Sequence, residues 1–120
     1  MRPIKSVFSI AALTIMALFS SCSKGNSGTA AVNTNACSGT AYSFSADVQP
    51  IFASSCAISG CHNAGSTNSG GPLTNWTLIH AKATTIESQV NAGIMPQTGT
   101  LTADQKKKII CWVESGALNN

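Results

Sequence analysis

A chain of 120 residues has room for about one small domain, and only 9% of it is charged, against roughly 25% in an average soluble domain. The formal charge of +3 falls to +1 when Arg2 and Lys5 are set aside with the leading segment, because five lysines then face four acids. Those figures exclude a multidomain enzyme and a basic nucleic-acid binder, while five cysteines behind an export-type leader point to an oxidising compartment and covalent cysteine chemistry.

Residues 1–21 are organised as an export signal. Arg2 and Lys5 supply the positive start, and residues 7–19 form a largely apolar run of 13. That length suits a signal core of roughly 7–15 residues and is short of the ~20 that a spanning helix needs. Phe19-Ser20-Ser21-Cys22 then resembles a bacterial lipobox, with small residues before a cysteine that takes lipid. An ordinary secretory signal with a chance cysteine is the alternative. Acyl chains on Cys22, each buried CH2 worth ~0.8 kcal/mol, would hold the mature protein at a membrane surface of the cell envelope. Residues 23–36 are rich in Ser, Gly, Asn, Thr and Ala and contain one larger apolar residue, Val32, so they read as a flexible tether.

The folded part is expected from Cys37 onward. A domain of that size is marginal without a staple, metal or cofactor. Its pattern is all-α, with about four short helices. Ser45 or Asp47 can cap the first, which runs to about Ser55 and puts Val48, Ile51 and Phe52 on one face. Residues 63–71 are a Gly/Ser/Asn-rich loop. A short helix starts near Asn75 and carries Trp76, Leu78 and Ile79. Thr84 and Glu87 match a capping box, predicting a helix over about 85–91 that Gly93 stops. Thr102 and Gln105 match another, for a last helix from Ala103 to about Ser115, with Ile109, Trp112 and Val113 inward and Lys106, Lys107 and Lys108 on a solvated face.

The chemistry concentrates in Cys56-Ala57-Ile58-Ser59-Gly60-Cys61-His62. Two nearby cysteines with histidine directly after the second are the arrangement of covalent c-type haem attachment. The thiols add to the two vinyl groups as thioethers, and His62 reaches iron as the proximal ligand. The usual motif has two residues between the cysteines; this one has four. Ser59-Gly60 is the expected place for the extra length to bulge, since Gly permits unusual dihedrals. Met95 is the one methionine beyond the leader, in the restricted setting Gly93-Ile94-Met95-Pro96, and is the candidate for the second iron ligand. Met95 as a core gap-filler and His80 as a rival ligand stay open. Leu73, Trp76, Ile79, Ile86, Val90 and Ile94 are candidates for the pocket lining.

From residue 56 to residue 112 the chain resembles a small monohaem cytochrome c domain, as found in lipid-anchored bacterial proteins. The pieces that carry the likeness are Asp47-Val48-Gln49-Pro50-Ile51-Phe52, the haem motif, residues 93–96, and Trp112-Val113-Glu114-Ser115-Gly116-Ala117. Such cytochromes include variants with longer spacers. The resemblance implies terminal helices crossing beside one haem c, with Val48, Ile51 and Phe52 packed on Ile109, Trp112 and Val113. Gly71-Pro72-Leu73 is similar to a stretch whose proline carbonyl orients the proximal imidazole. With Cys22 assigned to lipid and Cys56 and Cys61 to haem, Cys37 and Cys111 remain. Crossing helices would bring them together as a disulfide, the alternative being two unpaired thiols.

These expectations describe an electron carrier with redox protein partners, no small-molecule substrate and no enzymatic activity. A haem-free interaction lipoprotein stapled by Cys56–Cys61 and Cys37–Cys111 is the alternative. Two readings fit less well. One is a zinc site of Cys56, Cys61, His62 and His80, whose spacing matches no common pattern; the other is a ligand-sensing or peroxidase-like haem from which Met95 is absent.

Overall fold

The computed structural model describes residues 37–120; the leader, Cys22 and the tether lie outside them. These residues form helices and connecting loops without a strand. A π-helical turn, Phe44–Val48, runs directly into α1, Gln49–Ser55. Then come α2, Trp76–His80, α3, Ala83–Asn91, and α4, Ala103–Glu114. Among the described residues no helix is long and apolar enough to cross a membrane.

The first helix begins earlier than Ser45 or Asp47. Ser43 is the cap: its hydroxyl accepts from the Ala46 amide, and Asp47 reaches back to accept from the Ser43 amide. The next orphan amides are satisfied from the far end of the chain. Phe44 N–H donates to Asn120 Oδ1 at 2.9 Å, and Ser45 N–H to the Asn120 carbonyl at 2.9 Å. α2 starts beside Asn75 as expected, and the Asn75 side chain caps it, accepting from the Leu78 amide. The Thr84/Glu87 box is not used. Lys82 starts α3 without a side-chain cap, because α2 and α3 are joined so tightly that backbone bonds, Lys82 N–H to Ile79 and Ile86 N–H to Lys82, carry the chain between them. In α4 both halves of the Thr102/Gln105 box are made.

Trp112 is the centre of the core, with no exposure, and shares it with Val48, Phe52, Ile79 and Ile109. Each such side chain contributes about 1.5–3 kcal/mol on burial. The N-terminal contact with α4 is made chiefly through the π-helical turn: the Phe44 and Trp112 rings lie 5.5 Å apart and tilted by 39°. The indole N–H of Trp112 donates to the Leu118 carbonyl and that of Trp76 to Ala117, which folds the C-terminal tail back over the bundle. Cys37 and Cys111 are joined by a disulfide across 74 positions of sequence. Val113 is half-buried, and Ile110 and Cys111 are more buried than it.

Lys106 departs from the expected solvated face. It is 2% exposed. It sits one helical turn before Ile109 and Ile110, so the 3.6-residue period that buries them also turns Lys106 inward. Lys107 and Lys108 are half-buried, and the Lys108 ammonium lies between Asp47 at 3.7 Å and Asp104 at 3.3 Å.

Candidate haem-attachment site

One cavity of about 380 Å³ gathers Cys56, Cys61, His62 and Met95 on its wall, within the usual size range of small-molecule sites. Phe52, Leu73, Ile86 and Val90 give it an apolar interior, while Asn68, Lys82, Thr85 and Gln89 give it a polar edge.

The long cysteine spacer folds onto itself. The carbonyl of Cys56 accepts from the His62 amide at 3.0 Å, and Cys61 N–H donates to Ile58 at 3.1 Å. The intervening residues are thereby looped out and both cysteines face the same cavity. Gly60 has φ +81, which a side chain would resist. The loop of residues 63–71 braces this turn rather than merely connecting elements. Asn68 Nδ2 donates to the carbonyls of Gly60 at 2.8 Å and Cys61 at 2.9 Å, and the Ser66 hydroxyl donates to the Cys61 carbonyl.

His62 is oriented through its backbone and its ring. Leu73 N–H donates to its carbonyl at 2.9 Å. Its Nδ1 lies 2.8 Å from the Gly71 carbonyl. A carbonyl can only accept, so Nδ1 carries the hydrogen and Nε2 keeps its lone pair for a metal. The acceptor is Gly71, one residue before the expected Pro72. Gly71 has φ +63, and the chain turns there before Leu73 pairs with His62. A β-carbon on Gly70 would stand 3.4 Å from His62 Cε1, so the loop passes close against the imidazole.

Met95 arrives from the other side of the sequence. Gly93, at φ +71, ends α3, and the amides of Ile94 and Met95 both donate to the Gln89 carbonyl. The Met95–Pro96 peptide bond is cis.

Several expected lining residues lie elsewhere. Leu73, Ile86 and Val90 line the cavity, but Trp76, Ile79 and Ile94 do not. The Trp76 indole is tied to Ala117 and stacked on His80 at 4.6 Å. Ile79 is committed to the core, and Ile94 is 53% exposed because the turn that aims Met95 inward aims its neighbour outward. His80 is exposed and off the cavity, so it is no rival to Met95 there. It also does not join Cys56, Cys61 and His62 in a zinc set; among the described residues no three such side chains converge on a metal position. Sequence pattern does not mark Phe52 or the polar edge residues for the cavity: apolar spacing places Phe52 in the helix crossing, and the polar ones share a cavity only through the tertiary fold.

Both motif thiols are free. Burial, and then the neighbouring Cys61, push the Cys56 thiol up to about 11 from 9.0. Above pH 9.0 the unfolded chain ionises Cys56 while the fold keeps it protonated, so the fold binds more protons there. The haem-free chain is therefore expected to lose about 2–3 kcal/mol as pH rises from 9 to 11. Urea midpoints at pH 8.5 and 10.5 measure this, and the Cys56→Ala variant should lack that part of the decline. A decline of equal size in the variant would refute the assignment.

No protein-family model, curated protein or solved structure matches this chain.

Proposed function

We propose that this chain is a lipid-tethered electron carrier of the cell envelope, holding one covalent haem c in a cytochrome c-like bundle. The observation that carries the reading is the convergence of Cys56, Cys61, His62 and Met95 on one largely apolar cavity. Their chemistry fits the group: two thiols for thioethers, an imidazole with its tautomer set by Gly71, and a thioether sulfur. Haem supplies one-electron redox chemistry when bound.

Each side chain then has a definite task. Cys56 and Cys61 would hold the group as thioethers, each thiol adding its sulfur and its hydrogen across one vinyl double bond. His62, through its imidazole nitrogen, and Met95, through its thioether sulfur, would hold the iron. Phe52, Leu73, Ile86 and Val90 keep water from the macrocycle. Among the described residues Lys82 is the one charged side chain on the cavity wall, and it would suit the carboxylate edge of haem. The expected partners are redox proteins at the membrane or in the periplasm, with lipid on Cys22 keeping the protein at the membrane surface.

The test is a reduced-minus-oxidised spectrum of residues 23–120, exported in a host with c-type haem maturation, followed by acid-acetone extraction. Haem is expected to stay with the protein and to become extractable or absent in the Cys56→Ala/Cys61→Ala variant. A colourless protein with a Cys56–Cys61 disulfide would overturn the reading in favour of a haem-free interaction lipoprotein.

A further inference from the structure

The described residues contain one buried side-chain polar atom without a hydrogen-bond partner, Lys106 Nζ. Such a group is costly, because its desolvation is not returned by any acceptor. Asp47 and Asp104 pair with Lys108, which lies two residues on and so on another face of α4, and leave Lys106 without an acid. A methionine or leucine in the same place would complete the inward stripe of α4 at no such cost. A buried, unpaired group of this kind calls for an explanation outside stability.

Its position supplies one. Lys106 Nζ lies 3.9 Å from where a β-carbon on Gly93 would stand. Gly93 opens the turn that delivers Met95 to the cavity two residues later. The amine is thus enclosed at the C-terminal end of α3, where the helix dipole favours a cation, and close behind the segment that carries the second axial ligand. Charge in such a site is weakly screened by solvent.

We propose that Lys106 is a potential-setting residue: a buried cation behind the Met95 turn that favours the reduced haem. Reduction adds one negative charge to the centre, and a nearby fixed positive charge stabilises that form more than the oxidised one. The inference rests on the haem reading above, and stability given up at Lys106 is returned as a higher reduction potential.

The test compares the exported, matured protein with its Lys106→Met and Lys106→Gln variants by spectrum, potentiometric titration and urea unfolding. Lys106→Met is expected to raise the folded-to-unfolded ratio roughly tenfold, since an unpaired buried amine is replaced by an apolar side chain of similar length. Both variants are expected to shift the one-electron equilibrium roughly tenfold toward the oxidised form, about 59 mV. The far-red sulfur-to-iron band should be retained in both. Unchanged potentials in haem-bearing variants would overturn the proposal. So would loss of the sulfur band, which would make Lys106 a positioning residue for Met95 rather than a source of field. A Lys106→Met protein less stable than the parent would show that the amine has a partner, and would overturn it as well. Absence of covalent haem from the parent protein is a separate result: it removes the haem reading and the potential with it, and the unfolding comparison still reports whether the amine is a buried liability.

Discussion

Replacing Cys37 and Cys111 together with alanine is expected to cost about 4 kcal/mol of stability. The bond closes a loop of 74 positions, and in the chain-entropy model a loop of that size restricts the unfolded chain by about 4–5 kcal/mol. Small domains carry only about 0.05–0.15 kcal/mol per residue in total, so the loss would take at least about a third of what a fold of this size has. The effect is larger than for a surface staple because Cys111 is on the buried side of α4 and Cys37 stands just ahead of the first helical turn. Breaking the bond frees the N-terminal approach from α4, and with it the packing of Phe44 on Trp112. Urea unfolding of oxidised and reduced protein measures the difference without mutation, and the double alanine variant should match the reduced form. Equal midpoints for oxidised and reduced protein would show that the bond contributes nothing. Alkylation that labels Cys37 and Cys111 in unreduced protein would show that it does not form.

Met95→Ala is expected to have the largest effect on the haem centre proposed above. The sulfur is the one methionine thioether on the cavity, and His80 is exposed elsewhere and unable to replace it there. Loss of the far-red band in the oxidised form and new binding of carbon monoxide in the reduced form should follow together. The reduction potential should fall on the order of 0.1 V, a fraction of the roughly 0.8 V that axial ligands span. Covalent attachment through Cys56 and Cys61 should persist, because it does not use Met95. If the parent protein already binds carbon monoxide as readily as the variant, Met95 is not a ligand and the ligand-sensing reading takes over.

Short-range chemistry made much of this protein legible. A helix cap is written in one turn of sequence, so Asn75 and the Thr102/Gln105 box fall where expected. Apolar spacing located the inward residues Val48, Ile51, Phe52, Ile109 and Trp112. The adjacency of Cys61 and His62, and the isolation of Met95 before Pro96, singled out four side chains that the fold brings to one cavity.

What sequence alone left open depended on contacts between distant segments. Asn120 caps the first helix from 76 residues away, and no local pattern marks it. The acceptor for His62 is Gly71 rather than Pro72, since that choice turns on how the chain bends between residues 70 and 73. Asn68 belongs to a Gly/Ser/Asn-rich loop in which no pattern marks it, yet its amide holds the carbonyls of the cysteine turn. Ile94 and Trp76 are apolar, and composition cannot tell a cavity wall from a solvent-facing turn or a tail-clasping indole. Lys106 is the sharpest case. Its charge argued for solvent, but its place in the helical period argued for the core, and the period prevailed because α4 is anchored on both sides of it by Leu101 and Ile109. Residue identity and spacing determined which groups this protein offers for chemistry. Only the tertiary packing decided their company, because burial, the direction of a carbonyl and the absence of a partner are properties of segments meeting in space.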